Sequence, residues 1–155
     1  MEIIKRSTTT RDITIFSNDY CVNSAMINEF QTSFFTLKIN KIELIKKELG
    51  GYVIDDDAQY LVVNVSIRNI TNEVLLMLKE DFTISYDDEE PYVGEDFFQI
   101  DKQLPNEYAL KPNERITGKL IFIIGGNAKR IMLMYNEFYD DDSEGKTYKL
   151  KYIIQ

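Results

Sequence analysis

Acidic side chains are concentrated in three short segments, and these crowded carboxylates are the groups with the clearest potential for chemistry. Half of the 26 acidic residues lie in residues 55–57, 87–96 and 140–144. A hard cation such as Ca²⁺ binds about six to eight oxygen ligands, which closely spaced carboxylates can supply. The candidate calcium ligands are Asp55, Asp56, Asp57, Asp87 and Asp88. The alternatives are solvated acidic loops, which we favour, and a surface for a basic protein partner.

Two known site types can be compared with these segments. The spacing of Asp140, Asp142 and Glu144 is similar to the start of an EF-hand loop, but Lys151 stands where the bidentate glutamate is needed. A strand pattern also follows where a helix is required, so we reject the EF-hand. Paired carboxylates also catalyse glycoside hydrolysis, but this short chain has no tryptophan for sugar stacking. A calcium-dependent carbohydrate-binding protein or a carboxylate-based hydrolase is therefore kept only as the alternative function.

Composition excludes several other classes of function. The chain has no histidine, which excludes Ser-His-Asp and Cys-His nucleophiles, a histidine general base and any His-bearing zinc site within it. Its net charge of −8 repels the phosphates of nucleic acids. Apart from the calcium candidates, we expect no cofactor, no nucleic-acid partner and no catalytic residue.

Aromatic residues are the second candidate feature. The chain has 10 tyrosines and 9 phenylalanines, and most of them fall on alternating positions that predict core packing. Four lie beside the acidic segments and form a candidate partner-facing patch. These are Tyr92, Phe97, Phe98 and Tyr139.

The elements that must position these residues are predicted to be strands, because apolar residues alternate with polar ones from residue 33 onward. A change of parity at Asn40-Lys41 predicts a β-bulge. Residues 116–124 are apolar on both faces, which predicts a central strand, and lysines on the last strand predict an exposed edge. The predicted strands are residues 33–45, 58–69, 81–86, 92–100, 115–124, 129–135 and 147–154. They predict an all-β fold, an antiparallel immunoglobulin-like β-sandwich of about seven strands.

Strand parity also predicts where the acidic segments lie. Connections between successive antiparallel strands alternate between the two ends of a sandwich. Residues 55–57 and 87–96 should therefore share one end, bringing their carboxylates into one region, whereas residues 140–144 should lie at the opposite end.

Residues 1–32 are predicted to be an N-terminal extension packed on the sandwich domain of residues 33–155. Ile13, Ile15 and Phe16 could form one strand at a sheet edge. Residues 23–31 could form a short helix that buries Met26, Ile27 and Phe30.

The N-terminal sequence and the cysteine content provide information on the cellular location of the protein. Two basic residues near the N-terminus are followed by a polar stretch instead of an apolar one, so no signal peptide is predicted. No segment is apolar enough to span a membrane. The single cysteine, Cys21, permits no internal disulfide and is interpreted as a structural thiol. A cytoplasmic location is the expectation from these features.

Four ordered motifs carry a family resemblance. Residues 60–69, 81–84, 110–122 and 131–135 resemble the telokin-like immunoglobulin-type domain of unknown function found in Gram-positive bacterial surface lipoproteins. The resemblance covers residues 33–154. It implies a sandwich fold and a binding or structural role, with no catalytic residues. It also implies a cell-surface location, although the chain shows neither a signal peptide nor a lipobox.

The function predicted from the sequence is therefore non-enzymatic. We expect a binding or structural module that engages a protein partner through its loops or a sheet edge. A homodimer formed through a sheet edge is one form of that expectation.

Overall fold

The computed structural model describes residues 2–3, 14–16, 21–23, 28–97, 100–138 and 144–154. Its strands in chain order are β1 (Glu2–Ile3), β2 (Thr14–Phe16), β3 (Cys21–Asn23), β4 (Glu29–Gln31), β5 (Phe35–Ile45), β6 (Glu48–Leu49), β7 (Tyr52–Val53), β8 (Ala58–Asn69), β9 (Leu75–Leu78), β10 (Phe82–Tyr86), β11 (Tyr92–Val93), β12 (Glu107–Leu110), β13 (Arg115–Gly125), β14 (Arg130–Phe138) and β15 (Glu144–Ile153). A 3-10 turn at Lys79–Asp81 joins β9 to β10. None of the described residues forms a helix long and apolar enough to cross a membrane.

Two larger antiparallel sheets form the sandwich. The first has the order β1-β5-β8-β13, with β4 also paired to β5, and the second has the order β11-β10-β14-β15-β2-β3. Two further pairs, β9 with β12 and β6 with β7, lie outside these sheets. The all-β antiparallel prediction is confirmed. The estimate of about seven strands is wrong, because the segments between the long strands contain additional short strands.

The core lies between the sheets because the long strands alternate inward and outward residues. Val63, Val65 and Ile67 of β8 are buried with Leu120 and Phe122 of β13. Residues of the second sheet share that cluster, including Phe82, Ile84, Ile131 and Leu133. The pairing of β5 with β8 shifts between Ile39 and Lys41, which confirms the predicted bulge.

The described parts of residues 1–32 contribute strands to both sheets. β1 and β4 pair with β5, and β2 pairs with β15 through Ile15 opposite Leu150. The predicted pairing of this region with a sheet is therefore confirmed for β2, whereas Ile13 lies outside the described residues. The prediction that the last strand is an exposed edge is wrong, because β2 occupies that side of β15.

The helix predicted over residues 23–31 is wrong where the structure describes it. Glu29, Phe30 and Gln31 form β4, with only Phe30 buried. This alternation of period two matches the pairing with β5 and cannot form a helical stripe. Phe30 packs on Tyr148 with the ring centroids 5.2 Å apart, so its predicted burial is correct. Met26 and Ile27 lie outside the described residues.

The predicted central position of β13 is also wrong. β13 pairs with β8 on one side, and on its other side residues 94–97 and 100–104, the cover segment, run along the strand. The backbone amide of Glu95 donates to the Ile121 carbonyl at 2.7 Å, and that of Leu104 donates to the Lys119 carbonyl at 3.0 Å. The free edge of the sheet is therefore covered by irregular backbone from the same chain.

Both faces of β13 are apolar because both are covered. The face toward the second sheet belongs to the main core. Ile121 on the opposite face is buried in a second cluster with Tyr60 and Val62, against which Tyr52 and Phe97 also pack. Two covered faces give the same sequence pattern as a central strand, which explains the error.

Candidate functional site

A cleft lies beside β9. It has a volume of about 450 Å³ and is bounded by the segment that precedes β9, by β9 itself and by the end of β14. Met77 and Tyr135 are its buried lining residues. Phe34 lies beside them and packs against the main core, so the apolar lining of the cleft continues into the core of the sandwich.

Asn69, the last residue of β8, shapes one wall of this cleft. Its side chain is fully buried, and its amide group donates to the carbonyls of Glu73 and Leu110 at 2.7 and 2.9 Å. Its amide oxygen accepts from the backbone amide and the hydroxyl of Thr71 at 2.8 and 2.7 Å. Asparagine side chains form such local bonds readily, which is why the chain turns here. The turn delivers Glu73 and Val74 to the rim.

β9 presents an apolar edge next to the cleft. It pairs with β12 and with no other strand in the part of the chain that the structure describes. Val74 and Leu76 are 64% and 60% exposed, although apolar side chains of this size are usually buried. A strand with one unpaired side and exposed apolar residues is able to accept another extended segment.

The charged groups of the cleft are carboxylates. Glu73 and Asp81 line it, and its other described lining residues carry no charge. Burial raises the pKa of Asp81 above its usual value, and the neighbouring Glu80 raises it further. Burial also raises the pKa of the Tyr135 hydroxyl, with a smaller contribution from Asp81. The cleft therefore favours an apolar group accompanied by a positive charge.

The first two acidic segments lie at one end of the sandwich, as strand parity predicts. The Asp57 carbonyl accepts from Gly126 at 2.8 Å, and Asp87 Oδ1 accepts from the backbone amides of Lys129 and Arg130 at 2.8 and 2.9 Å. Both segments therefore flank the connection between β13 and β14. The predicted single region of carboxylates is wrong in one respect, because Glu95 and Asp96 lie in the cover segment along β13.

The candidate calcium ligands do not converge on one point. Within the described ranges, no three acidic or cysteine side chains are close enough to hold a metal ion. Asp87 is engaged by backbone amides, and Asp88 forms an ion pair with Arg130 at 2.7 Å. Asp55 and Asp56 are exposed. Asp140 and its acidic neighbours up to residue 143 lie outside the described residues.

Two residues of the candidate aromatic patch, Tyr92 and Phe97, lie in the described part of the chain, and both make contacts within the domain. Tyr92 donates its hydroxyl to the Ile123 carbonyl at 2.5 Å, and its ring meets Phe122 edge to face. Phe97 packs against Tyr52 and Tyr60 with centroids 4.6 and 5.7 Å apart. Tyr92 is engaged from β11 and Phe97 from the cover segment, and both side chains are half-buried. The partner-facing patch stays a prediction. Phe98 and Tyr139 lie outside the described residues.

Neither the cleft nor the buried lysine near it was predicted from the sequence. Lys79 is buried and its ammonium group pairs with Asp96, although nothing in its sequence context distinguishes it from a surface lysine. A usable signal existed for the cleft. The run Val74 to Leu78 follows a polar turn and is more apolar than a solvent-exposed connection requires.

These features define an antiparallel β-sandwich domain with a cleft beside β9, a strand that pairs on one side only among the described strands. The chain belongs to DUF4352, a domain of unknown function, which matches residues 5–147. No curated protein matches the sequence.

Three solved structures illustrate the similarity of fold. A candidate lipoprotein of Bacillus subtilis, ycdA, superimposes with a TM-score of 0.62 at 20% identity over 79% of this chain. The chain spans 38% of that protein. The yjhA protein of Bacillus subtilis has a TM-score of 0.57 at 16% identity, covering 76% of this chain and 93% of its own. A functionally unknown protein of Listeria monocytogenes has a TM-score of 0.57 at 13% identity, covering 82% and 81%.

Proposed function

We propose that this chain is a non-enzymatic binding module that takes up an extended segment of a protein partner along β9. The observation that carries the proposal is the exposure of Leu76 on β9 and of Val74 just before it, next to an open cleft. Among the described strands, β9 pairs on one side only. Strand addition of this kind gains affinity from backbone hydrogen bonds and specificity from alternate side chains.

The chemistry of the cleft suggests which segment fits. Alternate residues of an extended segment point to the same side, so every second side chain can meet the apolar surface. Glu73 and Asp81 add negative charge at the same place, and the chain as a whole carries −8. The proposed partner segment therefore alternates apolar and basic residues.

The absence of a catalytic assembly in the described cleft supports a binding role. The Thr71 hydroxyl there has one proton, and its two acceptors, Asn69 Oδ1 at 2.7 Å and the Glu73 carbonyl at 3.0 Å, both belong to the turn. Two titratable groups of the described cleft, the Asp81 carboxyl and the Tyr135 phenol, have raised pKa values. No basic residue is among the described residues that line the cleft with them. A binding module requires none of these groups to react.

A defined peptide tests the proposal. Fluorescence anisotropy would compare a labelled octapeptide of alternating lysine and valine with one in which glutamate replaces each lysine. We expect the lysine peptide to bind and the glutamate peptide not to bind. Leu76→Asn should weaken binding by about tenfold, because it removes roughly 1.4 kcal/mol or more of apolar contact. Val53→Asn is the matched control, since Val53 is 78% exposed on β7 and does not line the cleft.

Two outcomes would contradict the proposal. Equal binding of both peptides would show that the carboxylates do not select the partner. Equal effects of Leu76→Asn and Val53→Asn would show that β9 is not the docking strand.

We further infer that the module is of the telokin-like immunoglobulin type and acts at the cell surface. The fold shared with ycdA, a candidate lipoprotein, supports that location. Treating intact cells of the source organism with a protease, followed by immunoblotting, tests it. Loss of the protein while a cytoplasmic marker stays intact is the expected result, and full protection would contradict a surface location.

A further inference from the structure

A second, smaller pocket lies away from the β9 cleft, between the ends of the two sheets. It has a volume of about 180 Å³ and is bounded by the end of β5, the start of β8 and the connection between β13 and β14. Its apolar lining residues are Leu44, Ala128 and Ile154, and its polar ones are Lys46, Gln59, Asn127 and Lys129. It holds the volume of about six water molecules, at roughly 30 Å³ each.

Gln59 carries an unused hydrogen-bond acceptor at this pocket. Its side chain is only 2% exposed, and its Nε2 donates to the Gly125 carbonyl at 3.0 Å. Its Oε1 is buried without a donor among the described residues. Buried polar atoms in proteins are nearly always hydrogen bonded, so a group that occupies the pocket should donate to this oxygen.

The charge of the pocket is opposite to that of the protein. Lys46 and Lys129 line it, and none of its described lining residues carries a carboxylate, in a chain whose net charge is −8. Of the neighbouring acids, Asp87 directs its carboxylate to the backbone amides of Lys129 and Arg130, and Asp57 contributes a backbone oxygen to Gly126. The two ammonium groups are therefore the charges that the described lining offers to a ligand.

We propose that this pocket binds a small oxyanion that also carries a hydroxyl group, such as a hydroxycarboxylate or hydrogen phosphate. Lys46 and Lys129 pair with the anionic oxygens, and the ligand hydroxyl donates to Gln59 Oε1. Leu44 and Ile154 contact the carbon atoms of an organic ligand. The site is independent of the β9 cleft, so its test stands apart from that of the peptide-binding role.

Matched ligands test the requirement for a hydroxyl donor without any change to the protein. Lactate and propanoate differ only in one hydroxyl group, and inorganic phosphate represents the other source of the same chemistry. Each ligand is titrated to about 50 mM into nitrogen-15-labelled protein, and the amide signals are followed by NMR. This concentration is high enough to detect binding with a dissociation constant in the millimolar range. We expect lactate or phosphate to shift the signals of the Gln59 side-chain amide and the Asn127 backbone amide, and propanoate to bind at least about threefold more weakly than lactate.

Lysine variants test the charge requirement on a surface where folding is not at risk. Lys46→Gln and Lys129→Gln should each weaken binding by up to about fivefold, the size expected for an exposed ion pair. Lys47→Gln is the matched control, because Lys47 is the next residue, is equally exposed and does not line the pocket.

Three results would overturn the proposal. The first is the absence of any shift with lactate and phosphate over the whole titration. The second is equal binding of lactate and propanoate with no response to phosphate, which would leave water as the group bound to Gln59. The third is a loss of affinity in Lys47→Gln as large as that in Lys46→Gln. This would show that positive surface charge attracts anions in general, without a specific site.

Discussion

The ammonium group of Lys79 is buried and pairs with the carboxylate of Asp96, which is mostly exposed. The side chains are 7% and 59% exposed. Lys79 belongs to the 3-10 turn after β9, whereas Asp96 belongs to the cover segment on β13. One ion pair therefore joins the wall of the β9 cleft to the backbone that protects the edge of the first sheet.

The unequal burial of this pair predicts unequal effects of removing its two members. Asp96→Ala leaves the buried Lys79 ammonium without its partner, so we expect a loss of about 1–3 kcal/mol in the free energy of unfolding. Lys79→Met replaces the charge with an apolar side chain and leaves an exposed carboxylate, so we expect a loss below about 1 kcal/mol. Urea unfolding of both variants measures the difference. A larger effect of Lys79→Met would contradict this account of the pair.

The same pair predicts a pH dependence. The hydrogen bond from Lys79 holds the pKa of Asp96 below its usual value, against a smaller opposing effect of burial. A carboxylate with a lowered pKa in the folded state stabilises the protein above its unfolded pKa of about 3.9 and loses that effect as the pH falls through the folded value. The stability difference between wild type and Asp96→Asn should therefore shrink below about pH 4. Urea titrations at several pH values measure it, and a difference that grows on acidification would contradict the assignment.

Gly118 predicts how the edge of the sheet can be uncovered. A Cβ atom at this position would lie 2.8 Å from Leu104 Cδ2 and 3.1 Å from the Leu104 backbone nitrogen, so Gly118→Val must displace the cover segment. The exposed edge of β13 would then pair with that of a second copy. We expect a dimer by light scattering, whereas Thr117→Val, an exposed neighbour on the same strand, should remain monomeric. A monomeric, fully stable Gly118→Val would show that the segment is not needed to protect the edge.

Two tyrosines predict opposite effects of losing a hydroxyl group. The Tyr108 hydroxyl is buried without a hydrogen-bond partner in the described structure, whereas the Tyr92 hydroxyl donates to the Ile123 carbonyl at 2.5 Å. Tyr108→Phe should therefore leave stability unchanged or raise it, and Tyr92→Phe should lower it by about 1 kcal/mol. Thermal unfolding of the pair measures this. Destabilisation by Tyr108→Phe would contradict this prediction, because it would mean that the Tyr108 hydroxyl does form a hydrogen bond.

Asn69 predicts a link between the turn and the cleft. Asn69→Ala removes four hydrogen bonds in a fully buried place, and the carbonyls that lose their donor stay partly desolvated. We expect a loss of about 2–3 kcal/mol in the free energy of unfolding. Binding of the lysine-valine peptide should fall as well, because the rim residues Glu73 and Val74 follow this turn. A destabilised variant with unchanged peptide affinity would separate the turn from the binding site.

Local alternation was sufficient to predict the long strands but not their neighbours. β8 is recognisable from Val63, Val65 and Ile67 because period two is a property of the strand alone. The covered edge of β13 depends on contacts with residues 94–97 and 100–104. The strand predicted over residues 92–100 is wrong for residues 94–97, because β11 ends at Val93. Phe30 was correctly predicted as buried, but in a helix instead of the strand β4. A short apolar segment fits both the helical and the strand periodicity.

The candidate site was less predictable than the fold. Composition drew attention to the acidic segments, but Asp87 and Asp88 turned out to bind the backbone amide and guanidinium groups of residues 129 and 130. The β9 cleft is formed by Met77 and Tyr135, which are far apart in sequence and are brought together only by the tertiary fold. The unpaired oxygen of Gln59 depends on three-dimensional packing in the same way.

The cover segment lies before β13 in the chain, and this order matters during synthesis. The ribosome releases residues 94–104 before residues 115–125, so the covering backbone is already outside when the vulnerable strand emerges. β15 meets the same condition, because its neighbour β2 is made far earlier. Nascent chains of this protein that crowd along one messenger RNA can therefore each close their own sheets before a neighbouring chain offers a competing strand.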